Sequence, residues 1–266
     1  MYADIQPTNC FVGMFDIIGF KALREKKGTA GLHRQFVRGI IPAIQHSAAG
    51  KGKTETIAGQ QVYVPDFSDS RVRYLAVSDS VLFFTPDDAF ESFVSIISSA
   101  FMLLQFGFNG SRAPYRGAIG WGDLIADPQG VLIGSAIEDA YKGESSQAWA
   151  GAMVTQECRA FAENNNYIQR YVETHHKAAE HVADPRQVRM ALENAKRLAM
   201  YPVPIQHNPK DASATYSTLE TYAIDWTIRM YEGAAAKSFD PSEIQHSVAI
   251  ADNTRSFEQW ARSNNR

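Results

Sequence analysis

Phe11–Phe20 reads FVGMFDIIGF and Arg71–Phe84 reads RVRYLAVSDSVLFF. The first stretch predicts a strand from Cys10 to Asp16, dense in apolar residues and ended by the turn-prone Ile17–Gly19 step. The second sets two β-rich runs around the polar Ser78–Asp79–Ser80 step, the pattern of a hairpin with Asp79 at or near its tip. A helix is expected between them from about Phe20 to His46, with Phe20, Leu23, Phe36, Ile40 and Ile44 on one side and Gly28 and Gly31 as breaking points. A short strand fits Gln60 to Val64. Asp87 or Asp88 can cap a helix running to about Phe108. Tyr115 to Ile125 (YRGAIGWGDLI) has strand character, and Gly134 to Gln147 helical character.

Strand, helix, hairpin, helix, strand is the split βαβ order of ferredoxin-like folds. The expected class is therefore α+β, with a mostly antiparallel sheet covered by helices. Glu157 to Met200 is helical in composition and decorates that core. Tyr201 to Ile205 and Thr221 to Ile228 are candidate late strands, and a closing helix is expected from about Asp252 to Arg262. No repeat, low-complexity tract or linker divides the chain. One domain over residues 1–266 is expected, with its core at about 8–156 and a C-terminal elaboration at about 157–266.

Composition narrows the functional classes. Hydrophobic residues make up 45% and charged residues 21% of the 266 residues, with a net charge of −3. That balance argues against a broad nucleic-acid-binding face, which needs a basic surface. Cys10 and Cys158 stand far apart and outside any CxxC pattern, so reduced, inert thiols are expected. The N-terminal MYADIQPTNC has no basic-then-apolar leader, and no apolar run approaches the roughly 20 residues of a membrane span. A cytoplasmic protein with no membrane partner is the expectation.

In this topology the end of the first strand and the hairpin tip lie side by side, which brings Asp16 and Asp79 together. Two ionised carboxylates repel, and a divalent cation resolves the conflict. Hard oxygen ligands with open positions suit Mg²⁺ or Mn²⁺, which in turn bind a triphosphate. Ile17, Ile18, Gly19 and Phe20 lead into a helix, whose free amides and dipole can hold phosphate oxygens. Gly19 permits close backbone approach, and Phe20 anchors the turn in the core. Each aspartate alone is an ordinary turn or cap residue; the topology makes the pair informative.

With these residues in view, the chain resembles the class III nucleotidyl cyclases. FVGMFDIIGF is similar to their first-strand motif, AVSDSVLFF to their metal-binding hairpin, and YRGAIGWGDLI to the Arg-x-Gly-Ile-x-x-Gly strand that follows. The resemblance runs from about residue 8 to 156. It implies two divalent cations, Mg²⁺ or Mn²⁺, held by Asp16, Asp79 and the Ile17 carbonyl. One would activate the ribose 3′-hydroxyl for in-line attack on the α-phosphorus, while the other steadies the triphosphate and the departing pyrophosphate. It also implies a homodimer with active sites between the subunits.

Where purine cyclases of this class carry a Lys four residues before the second metal aspartate, this chain has Leu75. Val131 falls at their base-reading Asp. Glu138 and Lys142 fall at the helix Asn and at the Arg that stabilises the transition state. GSAIEDAYKGESSQAWAGAMVT instead resembles the pyrimidine cyclases of the bacterial Pycsar antiphage system, through Ala140–Tyr141, Glu144, Gln147, Trp149 and Gly151. That likeness implies cyclic UMP or cyclic CMP made from UTP or CTP after phage infection, and a separate cyclic-nucleotide-gated effector. The bulky Tyr74, Leu75 and Tyr141 suit the smaller pocket of a pyrimidine; they do not separate uracil from cytosine, and UTP is the substrate expected first, with CTP the alternative.

Plainer readings stand beside these. Tyr141 and Trp149 fit core or interface aromatics, and Glu138 with Lys142 fits a solvated i,i+4 pair. Arg73 and Arg116 can reach phosphate, although long side chains on strand faces are commonly surface residues. His175, His176, His181 and His207 read as surface histidines, Arg24–Lys27 as a solvated helix face, and Asp123 and Asp127 as turn formers. Two other functions compete: an adenylate cyclase with atypical base recognition, and a catalytically silent cyclase-like domain acting as a dimeric sensor.

Overall fold

The computed structural model describes residues 6–108, 113–127, 130–207, 215–228 and 247–264. The chain opens with β1 (Thr8–Ile17), then α1 (Phe20–Gln35), a π-helical turn (Phe36–Ile40) and α2 (Ile41–Ala49). A separate ribbon follows, β2 (Gly52–Ile57) and β3 (Gln60–Pro65), then the hairpin β4 (Arg73–Val77) and β5 (Ser80–Phe84). Next come α3 (Phe90–Phe106), β6 (Tyr115–Ala126), the short β7 (Leu132–Ile133), α4 (Ser135–Ser146) and β8 (Gly151–Val154). The remainder is α5 (Gln156–Asn164), α6 (Tyr167–Glu180), α7 (Pro185–Ala195), β9 (Leu198–His207), β10 (Thr215–Ile224) and α8 (Val248–Asn264).

The main sheet runs β4-β5-β1-β6-β8-β10-β9, with β7 paired to β6. Every pairing in it is antiparallel except β6 with β8. Its first four strands stand in the order that the ferredoxin-like split βαβ unit requires, so the fold is α+β as the element order predicts. Alternation along β1 explains the layering. Phe11, Phe15 and Ile17 are buried in the large core with Phe93, Ile96 and Ala100 of α3. Cys10 and Val12 point the other way and pack in a smaller core with Ala136 and Ala140 of α4.

That second face is built for close approach. A methyl added at Gly120 would sit 2.6 Å from the Ala140 nitrogen and 2.9 Å from the Ala136 oxygen. Any side chain at position 120 would collide with the α4 backbone, and Gly122 and Gly143 make similarly close contacts between β6 and α4. Gly120→Val is therefore expected to push α4 off the sheet and cost about 3 kcal/mol, read as a fall in the urea midpoint at unchanged m-value.

Several expectations needed correction. The long first helix does break at the expected Gly28, where φ is 65°, but the π turn interrupts it again and Gly31 stays helical. The late strand placed at Thr221–Ile228 spans Thr215–Ile224 instead, and β8 was not foreseen. Asp87 does serve α3: its carboxylate accepts from the Ala89 amide and the Ser92 hydroxyl. Asp88 accepts from the Trp121 indole instead. His175 is not a surface residue. It is half-buried against Tyr171, and burial with the nearby Arg197 charge lowers its pKa to about 4.

Candidate active site

Strand register assembles the site. Asp16 lies opposite Ser80 of β5 on one side and Arg116 of β6 on the other. Val77, Ser80, Asp16 and Arg116 thus form one row on the face that carries α4. The β4–β5 turn is closed by Ser78 and Asp79, with Ser78 at φ 58°, an unusual conformation for a non-glycine residue. The Ile17 amide donates to the Asp79 carbonyl at 3.1 Å, so backbone hydrogen bonding itself fixes Asp79 beside Asp16.

The electrostatics follow from that proximity. Asp16 is pushed up to about 7, first by burial, then by Asp79 and Glu144, against smaller opposing effects of Arg116 and the Ile17 amide. Glu144 is also raised, by burial and by Asp79, although Arg116 pulls it back. Arg116 Nε donates to Glu144 Oε1 at 2.7 Å, and Nη1 donates to the Gln147 carbonyl at 3.2 Å. The ion pair is largely buried, with side-chain exposures of 21% for Arg116 and 5% for Glu144. Three carboxylates and one guanidinium therefore interact at one sheet end, with net negative charge.

Such a set fits a divalent cation. Asp16, Asp79 and the Ile17 carbonyl are hard oxygen donors, and the strain on Asp16 is what a cation would relieve. Among the described residues no three His, Cys, Asp or Glu side chains are grouped as a metal cage. Two carboxylates with open positions suit an ion shared with a phosphate-bearing ligand rather than a closed structural site.

The phosphate-turn expectation is only partly met. The Ile17 amide is committed to Asp79, and the Ile18 amide donates to the Pro114 carbonyl at 2.9 Å, so neither is free for phosphate. Gly19, at φ 75°, starts α1, and Phe20 packs on the core beside Phe36. Any anion at this turn must use the amides from Gly19 onward.

Base-pocket candidates separate in the structure. Leu75 shares the Asp16 face, since Leu75, Leu82 and Met14 form the adjoining row. Tyr74 points to the opposite face: its hydroxyl accepts from Gln45 Nε2 at 3.2 Å and its ring stacks near Phe67. Neighbours on a strand cannot both line one pocket. Tyr141 lies one turn before Glu144 on α4 and is 52% exposed. Val131 sits by the β6–β7 turn, at the far end of β6 from Arg116, roughly 30 Å along the strand.

Lys142 and Glu138 are turned away from the Asp pair of their own chain. They pair with each other at 3.7 Å, both about three-quarters exposed, and rim a hollow of about 560 Å³ with Trp121, Asp139, Thr155 and Glu157. Asp139, pushed up to about 6 mainly by burial, accepts there from the Thr155 hydroxyl and the Trp121 amide.

Sequence reading passed over Arg116, Glu144 and Gln147 as site residues. Arg116 looked like one more strand-face cation, and nothing local ties it to a glutamate 28 positions on. The signals were the reach of Arg116 to phosphate and the Glu144, Gln147, Trp149 spacing. Asp127 stands at the turn after β6, its amide donating to the Val131 carbonyl, but Asp123 lies inside β6 and instead accepts from the Ser135 amide at the start of α4. Among the described residues no helix is long and apolar enough to cross a membrane.

No family model and no curated protein matches the chain. Solved structures do resemble it. The monomeric guanylyl cyclase domain of the RhoGC fusion protein from the aquatic fungus Blastocladiella emersonii is similar with a TM-score of 0.45 and 12% identity, over 81% of this chain and 96% of that one. The catalytic core of a rhodopsin-guanylyl cyclase with converted specificity, in complex with ATPalphaS, is similar with a TM-score of 0.43 and 12% identity, over 81% of this chain and 97% of that one.

Proposed function

We propose that this chain is a nucleotidyl cyclase that converts UTP to 3′,5′-cyclic UMP and pyrophosphate, in the manner of the Pycsar antiphage pyrimidine cyclases. The observation that carries the reading is the pairing of a buried, strained Asp16 with Asp79 at one sheet end, inside motifs that resemble class III cyclases. In the reaction the ribose 3′-oxygen bonds the α-phosphorus as the bond to the β-phosphate breaks, and pyrophosphate leaves. Two Mg²⁺ or Mn²⁺ ions, when bound, would polarise that hydroxyl and neutralise the triphosphate. Asp16, at the end of β1, and Asp79, in the β4–β5 turn, would hold the ions, and the hydrogen bond from the Ile17 amide to the Asp79 carbonyl keeps the two residues side by side. Arg116, oriented by Glu144 and Gln147, presents a guanidinium beside Asp16 for a phosphate oxygen.

A single chain leaves Lys142, Glu138 and Val131 away from the Asp pair. They join the reaction only in a homodimer whose second copy supplies them, with sites between subunits. Leu75 and Tyr141 remain as base-facing candidates, and without Tyr74 the case for a small pocket rests on these two. Product released in the cytoplasm would act on a cyclic-nucleotide-gated effector.

Incubation with each of the four ribonucleoside triphosphates and Mn²⁺, followed by product separation, tests this directly. Cyclic UMP is expected, with Asp79→Ala reducing it at least about a thousandfold. Cyclic CMP would move the assignment to the sister cytidylate activity, and cyclic AMP alone would end the pyrimidine reading. No product from any triphosphate would leave the silent dimeric sensor.

A further inference from the structure

The Gln147–Trp149 segment is wired more elaborately than a loop between a helix and a strand requires. Gln147 is fully buried, and its side-chain amide donates to the Gly117 carbonyl at 2.6 Å and to the Gly143 carbonyl at 3.0 Å. Those carbonyls belong to the residues next to Arg116 and Glu144. Its own backbone carbonyl accepts from Arg116 Nη1. One residue therefore ties together both halves of the ion pair beside Asp16.

The orientation of that amide is set from elsewhere. Trp149 Nε1 donates to Gln147 Oε1 at 2.8 Å, which leaves Nε2 to face the two carbonyls. A reversed amide would set an oxygen against two oxygens and lose all three hydrogen bonds. Trp149 is itself fully buried, edge-on to Phe257 of α8 at 4.5 Å and beside Tyr201 of β9. The same helix grips the loop backbone twice. Thr254 Oγ1 accepts from the Ala150 amide at 2.9 Å, and Asn253 Nδ2 donates to the Ala148 carbonyl at 2.8 Å.

We propose that Gln147 and Trp149 are positioning residues that aim the Arg116 guanidinium, and that the seating of α8 on the 147–150 loop sets that aim. The site then has a control point on its C-terminal helix, remote from the carboxylates. The proposal rests on reading Arg116 as the triphosphate-binding cation. A purely structural Trp149 would lower stability without any dependence on Arg116.

The test is calorimetric titration of inorganic tripolyphosphate with Mn²⁺ into the full chain. Arg116→Lys keeps the charge but loses the fork, and is expected to weaken binding about tenfold. Trp149→Phe keeps the ring packing but removes the indole donor, and is expected to weaken it about three- to tenfold. In the Arg116→Lys background, Trp149→Phe should cost less than about twofold, because the group it aims is gone. Asn253→Ala, on α8 and remote from any ligand, should show the same background dependence with a smaller effect. It covers the case in which Trp149→Phe does not fold.

Full multiplication of the two factors, or unchanged affinity in both Trp149→Phe and Asn253→Ala, overturns the proposal. So does wild-type protein that binds no tripolyphosphate. Wild-type protein that binds it but cyclises no nucleotide would overturn the proposed function and leave this coupling standing.

Discussion

Asp16→Asn is expected to raise the melting temperature of the metal-free protein at pH 7.5 while abolishing cyclic-nucleotide formation. The stability gain follows from the carboxyl's environment, which burial, Asp79 and Glu144 make hostile to charge and which lifts the pKa to about 7. The folded chain holds this proton more tightly than the unfolded chain. From about pH 4 upward the unfolded state ionises first, so stability is complete below that range and is lost as pH rises through 7. A carboxyl moved from 3.8 to about 7 loses about 4 kcal/mol at full burial. Solvent contact at this half-buried side chain reduces that to roughly 2 kcal/mol, about 4 °C in a chain of this size.

Asparagine keeps the shape and removes the charge. Thermal melts at pH 5.5 and 7.5 should therefore show a decline in the wild type that is largely absent in the variant. Mn²⁺ should restore the wild type at pH 7.5, by about 3 kcal/mol at a hundredfold excess over Kd, and leave Asp16→Asn unmoved. A variant that melts at or below the wild type at pH 7.5 would show that Asp16 is not strained. Strain at this residue is then a cost of function, released only when a cation is present.

The second large effect is expected at Arg116. Arg116→Met removes the cation paired with Glu144, a carboxylate with 5% side-chain exposure, and leaves an uncompensated charge indoors. Breaking a buried pair from one side costs about 3–5 kcal/mol, and the partial exposure of Arg116 sets this case near about 3. Glu144→Gln is milder, at about 1 kcal/mol, since an amide oxygen still accepts from Nε. The double variant Arg116→Met with Glu144→Gln should recover most of the loss. Urea unfolding of the four proteins gives the cycle. Additive losses would mean that the two side chains do not act as a pair.

Much of this architecture is legible in the residues. The apolar run ending at Asp16 and the polar interruption at Asp79 fix two strand ends, and the element order does the rest. The failures have physical causes. Tyr74 and Leu75 are adjacent on a strand, so a period of two already forbids both from facing one pocket. The Ile17 and Ile18 amides looked free because their acceptors, Asp79 and Pro114, are far away in sequence. β8 is a short run of small and apolar residues buried on both faces, with no alternation to betray it. The Arg116–Glu144 pair crosses from strand to helix, and local periodicity carries no record of it.

β9 and β10 extend the same sheet that holds Asp16, and β10 meets β8 through Ala223 and Met153. The residues after Val154 are thus not an appendage that can be cut away. A chain trimmed to the region resembling cyclases would expose the free edge of β8, a row of unpaired amides and carbonyls inviting other chains. It would also strip Phe257 and Tyr201 from Trp149. A minimal catalytic fragment of this protein should be sought by shortening loops, not by truncation.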